Sequence, residues 1–307
     1  MQVHRSIDDL AGIPGPLSLA IGVFDGVHLG HQAVLRAAID SAATLRGTAA
    51  ALTFDPHPSR VLRPDFAARL LTATRHKLRL IEALGIAHVI VVRFDADFAA
   101  VEADDFIRRL AAVGRPLARV CVGHGWHFGR ARRGNGDLLR LRGAELGFDT
   151  IEVAPVQADG RTVSSTAIRA AVESGDLATA ARLLGRDYSI LGTVVPGDQR
   201  GRQLGFPTAN LAAHNEQFPP DGVYAVRVRV DGTDHPGVAN IGVRPTVDSS
   251  GERTLEVHLL DFSDDLYGRD IEAFFIQSLR PEKKFASLDE LRTQIQADCD
   301  SARATLR

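Results

Sequence analysis

The sequence has very little cysteine. Cys121 and Cys299 are the two cysteines among 307 residues, and they stand far apart in the chain. They form no CxxC pair or other spacing typical of metal ligands, and they are too few for a framework of disulfides. Such sparse use of cysteine is typical of a reducing compartment, so we expect a cytoplasmic protein.

Neither sign of charge is in excess, and long apolar runs are missing as well. Lysine and arginine number 36 against 38 aspartates and glutamates, which gives a net charge of −2. This balance provides no broad basic surface for nucleic acid or for an anionic membrane. No run approaches the ~20 apolar residues that cross a bilayer, and Asp8 and Asp9 stand where a secretory signal would be apolar. We therefore expect small molecules, and neither nucleic acid nor a membrane, as partners.

The first half of the chain alternates strand-like runs with helical patterns. The strand candidates are Leu17–Val23, Ala50–Phe54, His88–Phe94, Leu117–Val122 and Thr150–Val156. Helical periodicity covers residues 31–45, 74–84 and 103–112. This alternation predicts an α/β domain of Rossmann-like type, with a parallel sheet between layers of helices. Two further helices, Thr166–Glu173 and Leu177–Leu184, each followed by a glycine, close this half. We therefore place the domains at 1–185 and 186–307.

The second half has the pattern of β-structure. Val223–Val230 alternates with period two, Asp231-Gly232 is a hairpin signal, and residues 237–242 suit the returning strand. Further strand-like runs are Leu255–Leu260 and Ile271–Ile276. The segment SLDE at 287–290 then predicts a capping box and the start of a final amphipathic helix. We expect a small antiparallel barrel or sandwich finished by one helix.

The segment GVFDGVHLGHQ, residues 22–32, follows the first strand and opens the first long helix. Ligands bind at the carboxyl ends of parallel strands, and helix N-termini attract phosphate. The residues expected at ATP phosphates here are Gly22, Phe24, Asp25 and Gly26. His28 and His31 could stabilise charge that develops on a phosphate under attack. The alternative is an ordinary loop with two surface histidines. A zinc site is less favoured, because no third ligand is suggested nearby.

A second phosphate-binding element is predicted at VSSTAIR, residues 163–169, where hydroxyls stand at a helix start. The expected contacts are Ser164, Ser165, Thr166 and Arg169. A serine that simply caps the helix explains Ser164 or Ser165 equally well. The arginine favours an anion, because a cation in the first turn opposes the helix dipole.

The segment TFDPHP, residues 53–58, ends the second strand in a loop that two prolines make rigid. Phe54 and, further along, Phe128 are candidates to flank an aromatic ligand ring, although either is more often ordinary core. Together these elements predict a nucleotidyl transferase, in which the α-phosphate of ATP is attacked and pyrophosphate leaves.

Residues 192–210 are unusually rich in glycine for the start of a β-domain. Glycine-rich turns expose backbone N–H groups that bind anions, and the Walker P-loop pattern is absent. The expected phosphate contacts are Gly192, Gly197, Gly201, Arg202 and Gly205. Simple turns between strands are the alternative. Thr208 and Asn210 would face the same way on an extended segment, as a shared Mg²⁺ on ATP phosphates requires.

Glu256 stands in the strand-like run TLEVHL. Alternation puts it with His258 on the face opposite Leu255. An exposed strand face and a base that takes a proton from an attacking hydroxyl are both compatible with this position. Periodicity does not separate the two.

Taken together, these motifs resemble the bacterial bifunctional riboflavin kinase/FAD synthetase family over nearly the whole chain. The matching segments, in the family's order, are GVFDGVHLGHQ, TFDPHP, VSSTAIR, GRQLGFPTANL, GVYAV, GVANIGVRPTV, LEVHLLDFSDDLYGRDI and LRPEKKFASLDELRTQI. The resemblance implies an N-terminal FMN adenylyltransferase domain of the HxGH superfamily and a C-terminal riboflavin kinase domain with a six-stranded β-barrel. It also implies two reactions: riboflavin and ATP give FMN, and FMN and ATP give FAD and pyrophosphate, with Mg²⁺ serving both.

The resemblance also implies roles for individual residues. His28 and His31 would stabilise the transition state of adenylyl transfer, and Glu256 would activate the ribityl 5′-hydroxyl of riboflavin. Thr208 and Asn210 would ligate the magnesium ion. The residues expected at the flavin are Phe54, Pro56, Pro58 and Phe128.

One segment departs from the family pattern. Gly125 stands where family members have Asn or Asp, whereas Trp126 and the pair Phe128-Gly129 fit. The missing side chain would help to hold a nucleotide or flavin phosphate, so slower adenylyl transfer is expected. The basic loop at 130–133 could compensate, although a solvated run of charges is the more common role of such a segment. Two alternatives remain: an enzyme in which only the kinase half works, and a flavin- or nucleotide-binding regulator without turnover.

Overall fold

The computed structural model describes residues 1–113, 117–197, 201, 204–243 and 253–307. In this part of the chain the protein divides into two compact units, Met1–Ser165 and Thr166–Arg307. The domain limits 1–185 and 186–307 stay a prediction from the sequence. Within the described residues, no helix is both long and apolar enough to cross a membrane.

The first unit is built on a six-stranded parallel sheet. Its strands are β1 Gln2–His4, β2 Leu17–Ile21, β3 Thr48–Asp55, β4 His88–Arg93, β5 Leu117–Gly123 and β6 Asp149–Val153. Their order across the sheet is β1-β4-β3-β2-β5-β6. A small hairpin of β7 Gln157–Ala158 and β8 Arg161–Thr162 follows the sheet.

Helices cover this sheet on both faces. They are α1 Leu29–Leu45, α2 Pro58–Leu62, α3 Thr74–Ala83, α4 Ala96–Ala99, α5 Ala103–Ala111 and α6 Gly136–Leu146. All five residues of β2 are buried, and they alternate between two cores: Leu19 and Ile21 belong to one cluster, and Ala20 to the other. The predicted α/β architecture is therefore confirmed.

The strand order reverses beside β2. The chain passes from β2 to β3 on one side, while β5 pairs with β2 on the other side. Loops that leave such a reversal point diverge and open a crevice for ligands at the carboxyl edge of the sheet. The loop between β2 and α1 starts at this point and ends at His28, while His31 is in the first turn of α1.

The second unit is centred on a closed antiparallel barrel. Its strands are β9 Tyr188–Val195, β10 Ala209–Ala213, β11 Gly222–Val230, β12 Thr233–Val243, β13 Arg253–Leu259 and β14 Asp270–Pro281, in the order β10-β13-β12-β11-β14-β9. Asp231 and Gly232 both have positive φ, 45° and 87°, as the tight hairpin between β11 and β12 requires. The six-stranded barrel is thus confirmed, and the sandwich alternative is wrong.

Among the described residues, helices of this unit are α7 Ser165–Glu173, whose first residue belongs to the first unit, α8 Leu177–Leu184 and α9 Leu288–Thr305. Asp176 caps α8, and Gly185 follows it in the left-handed conformation, as the sequence predicts. Ser287 caps α9 by accepting the Glu290 N–H. The Glu290 carboxylate accepts the N–H of Ala286, one residue before the cap, which is a variation on the predicted capping box.

Several elements lie outside the sequence prediction. They are β1, β7, β8, β9, β10, α2, α4 and α6. The strand β1 has only three residues, Gln2–His4, and lies at an edge of the sheet. It is too short to show an alternation of apolar and polar residues. The helix α6 contains Gly136 and Gly143, which weaken its pattern; Gly143 lies so close to Phe148 that a Cβ there would come within 2.8 Å of its ring.

Candidate functional sites

The first candidate site is the loop between β2 and α1. His28 is the N-cap of α1, and its Nδ1 accepts the backbone N–H of His31 at 3.2 Å. The two imidazole rings are stacked, with centroids 3.5 Å apart and planes at 18°. The ring of Phe24 meets His31 edge-on at 5.4 Å. The two predicted histidines therefore form one compact group at a helix N-terminus.

The cap also fixes the chemistry of His28. Because Nδ1 accepts a hydrogen bond, the neutral ring carries its proton on Nε2, which can act as a donor. His28 is 6% exposed, and its ring lies over Gly30, where a Cβ would come within 3.2 Å of it. Gly30 therefore makes room for the ring. His28 is therefore held in one orientation by its cap and by its packing over Gly30.

Asp25 holds the loop to the rest of the first unit. Its carboxylate accepts the backbone N–H groups of Leu71 at 3.3 Å and Thr72 at 3.0 Å. Its own carbonyl oxygen accepts the hydroxyl of Ser165 at 2.9 Å. Gly26 donates its N–H to Thr72 Oγ1 at 2.9 Å. Asp25, Gly26 and Ser165, predicted as phosphate contacts, thus make bonds within the protein that shape the loop.

Gly22 and Phe24, the remaining predicted residues of this loop, are also buried. Phe24 is 1% exposed and has φ 53°, and a Cβ on Gly22 would come within 2.7 Å of the Phe24 ring. Side chains seldom adopt such a φ, and a strained backbone at a ligand-binding edge is a feature that functional sites often share.

Sequence reasoning missed Lys77, which lies on α3 and is 4% exposed. Its Nζ donates to Val23 O at 3.1 Å, Thr53 Oγ1 at 3.0 Å and Phe54 O at 3.2 Å. Burial lowers the pKa of this ammonium to about 8, and the charges of Asp25 and Asp55 oppose that shift. The signal in the sequence was weak, since one lysine on an amphipathic helix normally faces water.

The aromatic candidates belong to a row of rings. Phe54 meets Phe94 and Phe98, Phe98 meets Phe106, and Phe106 meets Phe128, with successive centroids 5.6 to 6.1 Å apart. Phe54 and Phe128 are 7% and 8% exposed and part of one core. Both therefore lie in the core, which is the more common position of a phenylalanine, and Trp126 stacks on Phe128 at 4.6 Å.

The two predicted prolines lie in the loop after β3. Pro56 is exposed, and Pro58 is the first residue of α2. The Nδ1 atom of the preceding residue, His57, accepts the Ser59 N–H at 3.1 Å and so caps that helix. The loop is therefore defined by local bonds, and Pro56 lies at its surface.

The segment around Gly125 is arranged by a carboxylate. Glu152 Oε1 accepts the Gly125 N–H at 3.2 Å and lies 2.9 Å from His124 Nδ1. His127 Nδ1 donates to Gly125 O at 2.7 Å. Gly125 has φ 69°, and a Cβ on it would meet nothing within 4 Å. The site has room for the side chain that the family pattern contains.

The second predicted phosphate element divides between the units. Ser165 begins α7 and belongs to the first unit, whereas Thr166 and Arg169 are assigned to the second. Thr166 is exposed and Arg169 is half-buried. The structure thus joins Ser165 to the histidine loop, while phosphate contacts from Ser164, Thr166 and Arg169 stay predictions.

The second candidate site lies on the barrel. In the register of β10, β13 and β12, Glu256 is paired with Asn210 on one side and with Asn240 on the other. Directly opposite residues in antiparallel strands have side chains on the same face. The two neighbours of Glu256 in its strand, Leu255 and Val257, are buried toward the other face. Glu256 and its two amide neighbours therefore form a polar row across three strands.

Two cavities meet at the start of β10. One, of about 450 Å³, lies between the barrel and α9, and its wall includes Glu256, Asn240, Thr208 and Cys299. The other, of about 480 Å³, is bounded by Thr208, Phe262, Asp264, Asp265 and Tyr267. Glu256 is half-buried and lines the first cavity, which favours a functional position over a plain exposed strand face. Thr208 belongs to both walls.

The helix α9 forms the outer wall of the first of these cavities. Arg280 of β14 makes a two-pronged ion pair with Asp298 of α9, at 2.8 to 3.1 Å. Asp298 is 5% exposed, and Gln294 also donates to it. Burial raises the pKa of the Cys299 thiol to about 11, so this wall residue is a neutral thiol near pH 7.

The predicted glycines of the barrel lie in different surroundings. Gly192 is inside β9, where a Cβ would come within 2.9 Å of Ala212 O, so sheet packing accounts for it. Gly197 and Gly201 lie against the side chains of Asn210 and Thr208 respectively. Gly205 has φ 90° in an exposed turn. Arg202 lies outside the described residues.

The donor set suits a magnesium ion. Thr208 and Asn210 bring a hydroxyl and an amide oxygen, and Glu256 stands beside Asn210. Mg²⁺ prefers oxygen ligands and is usually held by few protein groups together with substrate phosphates. Within the described ranges, no three His, Cys, Asp or Glu residues are grouped to hold a metal ion. The described residues therefore contain no cluster of the kind that binds zinc.

His258 helps to place this site. Its Nδ1 donates to Pro207 O at 2.7 Å, and its ring meets Phe206 edge-on at 5.7 Å. These contacts hold the segment before Thr208 against β13. The sequence shows His258 only as a neighbour of Glu256 on the strand, because a bond to a residue 51 positions away leaves no pattern in the sequence.

Comparison with known proteins covers both sites. Family models described as FAD synthetase and Riboflavin kinase match residues 12–167 and 184–306. A bifunctional riboflavin kinase/FMN adenylyltransferase of Pseudomonas fluorescens is 40% identical over 304 residues, which are 99% of this chain and 97% of that protein. The protein of the same name from Escherichia coli K12 is 42% identical over 305 residues, with the same shares. A solved structure described as a macrolide-efflux protein from Streptococcus pneumoniae is similar over 98% of both chains, with a TM-score of 0.82 and 29% identity.

Proposed function

Because the chain belongs to the family of bifunctional riboflavin kinases/FMN adenylyltransferases, we propose that its two sites act in sequence on one flavin. The barrel phosphorylates riboflavin with ATP and gives FMN and ADP. The parallel-sheet unit joins FMN to the adenylyl group of a second ATP and gives FAD and pyrophosphate. Each reaction has its own unit and its own set of residues.

The observation that carries the kinase assignment is the position of Thr208 on the walls of both barrel cavities. Phosphoryl transfer needs two substrates whose reacting ends meet at one point. The cavity between barrel and α9, with Glu256 in its wall, takes riboflavin, and the cavity beside Phe262 and Tyr267 takes ATP. Their reacting groups then meet near Thr208.

Glu256 is the base of this reaction in our proposal. Its carboxylate takes the proton of the ribityl 5′-hydroxyl while that oxygen attacks the γ-phosphorus of ATP. Thr208 and Asn210 would hold Mg²⁺, which neutralises charge on the phosphates. The cavity and the register support these roles, since Asn210 is paired with Glu256 and Thr208 is two residues before Asn210.

Adenylyl transfer is assigned to the histidine loop. A phosphate oxygen of FMN attacks the α-phosphorus of ATP, and pyrophosphate leaves. The Nε2–H of His28, oriented by the Nδ1 cap, donates to an oxygen that gains charge in the transition state. His31 stacks on it and serves the same phosphate region. Ser164, Thr166 and Arg169 are proposed as further phosphate contacts.

The flavin ring of FMN is proposed to lie near the loop after β3. Pro56 and Pro58 offer rigid apolar surface there, and the row of rings from Phe54 to Phe128 supports that loop from below. Both cysteines are buried, and we propose a cytoplasmic location, in keeping with the sparse use of cysteine.

One assay tests these assignments. Purified protein is incubated with riboflavin, ATP and Mg²⁺, and the flavins are separated by chromatography. Glu256→Gln is expected to abolish FMN formation and to leave FAD formation from supplied FMN intact. His28→Ala should abolish FAD formation and leave FMN formation intact. His28→Asn retains an oxygen that can cap α1, and it should lose FAD formation to the same extent as His28→Ala.

The alternatives give other outcomes in the same assay. FMN without any FAD would support an enzyme with only the kinase half at work. Riboflavin that stays unchanged would support a binding regulator. Loss of both activities in Glu256→Gln would contradict two separate sites.

A further inference from the structure

Lys77 joins the two loops on which the proposed adenylyltransferase site is built. One of its acceptors, Val23 O, is at the start of the histidine loop, and another, Phe54 O, is at the carboxyl end of β3. The third, Thr53 Oγ1, itself donates to Val23 O at 3.0 Å. Two neighbouring strands thus have their carboxyl ends tied through one amino group on α3.

The three acceptors match the protonated form of the amine. An ammonium has three N–H donors and no acceptor, whereas a neutral amine has two donors and a lone pair. Because Thr53 uses its hydroxyl proton for Val23 O, its oxygen can only accept from Lys77. If Nζ loses a proton, it has two donors for three acceptor oxygens. One of these oxygens would then face the nitrogen lone pair instead of an N–H group.

Burial of a charge at this place lowers the stability of the folded state. A buried ammonium loses its hydration, and the hydrogen-bond partners of Nζ are two carbonyls and a hydroxyl rather than a carboxylate. The charged groups that act on it are Asp25, in the histidine loop, and Asp55, at the end of β3. An apolar side chain of similar length would not have this cost, although the three oxygens would lose this donor.

We infer that Lys77, as an ammonium, is a positioning residue for adenylyl transfer: it fixes the start of the histidine loop relative to the end of β3. It contacts neither substrate and acts through Val23 and the β3 loop on the position of His28. This inference rests on the proposed role of His28 in the first unit. A displacement of a catalytic group by about 1 Å can lower a rate by about 100-fold.

The test compares Lys77→Met with Thr53→Val and Thr53→Ser in the full-length chain. Lys77→Met removes all three bonds, Thr53→Val removes the shared hydroxyl, and Thr53→Ser retains it. We expect kcat for FAD formation from FMN to fall about 100-fold in Lys77→Met, with a smaller change in KM for ATP, and to fall at least tenfold in Thr53→Val. Thr53→Ser should retain most of the activity, and FMN formation from riboflavin should be the same in all.

A pH profile separates positioning from a merely structural role. In the wild type, kcat for FAD formation should decline as the pH rises through about 8, where Lys77 loses its proton. The profile of Lys77→Met should lack this decline, and so should FMN formation in either protein. The wild-type profile needs no variant, so it tests the inference even if Lys77→Met does not fold.

Three results would overturn the inference: a folded Lys77→Met that forms FAD at the wild-type rate, a decline near pH 8 that persists in that variant, or a flat wild-type profile between pH 7 and 10. His28→Ala distinguishes this failure from failure of the proposed function. If His28→Ala loses FAD formation and Lys77→Met does not, the site is right and the role of Lys77 is wrong. If His28→Ala retains it, the proposed site itself is wrong.

Discussion

At the scale of single residues, Gly125 is the position where this chain departs from its family pattern. Its φ of 69° lies in the left-handed region, which Asn and Asp tolerate better than other residues with a side chain. The open space around its Cβ position means that an added side chain would meet no atom. The same backbone can therefore carry either residue.

Gly125→Asn is expected to increase kcat/KM for FAD formation from FMN several-fold, because it restores a polar group at the edge of the sheet. Gly125→Ala has the same backbone strain without the amide and should leave this value unchanged or lower it. Steady-state kinetics of both variants make the comparison. An Asn variant no better than the Ala variant would mean that the missing side chain has no part in the reaction.

The burial of Lys77 also predicts how the free energy of unfolding depends on pH. Its pKa is about 8 in the folded protein and 10.5 in an ordinary lysine, so between these values the unfolded chain binds more protons. The free energy of unfolding therefore rises with pH across this window, by up to roughly 3 kcal/mol from this group. Its contribution to FAD formation falls across the same window.

Urea unfolding of wild type and Lys77→Met at several pH values measures this effect. The difference between the two proteins should shift in favour of the wild type as the pH rises from 8 to 10.5. A difference that stays constant over this range would show that Lys77 has an ordinary pKa in the folded state.

The sequence predicted the chemistry of residues better than their surroundings. Glu256 could be named as a base, but only the packing of α9 against the barrel decides that it faces a cavity. Asp25 was predicted as a phosphate contact, while its carboxylate bonds to Leu71 and Thr72. Such bonds join residues 46 and 47 positions apart and leave no local pattern.

At the scale of elements, periodicity and turn residues were enough where an element is long or ends in a clear signal. The hairpin at 231–232 and the helix α8 were predicted from two residues each. The strand β10 was not, since its sequence ANLAA has no β-branched residue and its pairing with β9 and β13 comes from the closed barrel.

The pair of Arg280 and Asp298 links α9 to the barrel, next to an apolar contact that includes Cys299 and Val223. Asp298→Asn should lower the free energy of unfolding of the second unit by roughly 2 kcal/mol, less than for a fully buried pair, because Arg280 retains some access to water. It should also increase the KM for riboflavin, since α9 is a wall of the cavity that we assign to it.

Thermal unfolding and the kinetics of FMN formation measure these two effects. Asp300→Asn on the same helix is the control, because Asp300 is exposed, and it should change stability by less than ~0.5 kcal/mol. If Asp298→Asn were as stable and as active as the control, the ion pair would have no part in holding α9.

At the scale of the whole molecule, the two units have separate sets of proposed residues. Glu256→Gln leaves the first unit intact, and His28→Ala leaves the second intact. Neither variant alone should form FAD from riboflavin. An equimolar mixture of the two should do so, because FMN released by one can bind to the other.

Chromatography of the flavins in this mixture gives the answer, with each variant alone as the control. FAD in the mixture alone is the expected result. The contrary result is a mixture that accumulates FMN without FAD. If the Glu256→Gln variant still converts supplied FMN at that same concentration, this result would contradict free exchange of FMN between chains.

The closing of the barrel also bears on self-association. A closed sheet leaves no row of unpaired N–H and C=O groups for another chain to pair with. Among the strands described here, the edges of the large sheet in the first unit remain, and one of them is β1, only three residues long. Its neighbour β4 contains the buried run Val89–Val92. Detachment of β1 would expose an apolar strand edge of the kind that can pair with another chain, and we therefore expect loss of these three residues to promote aggregation.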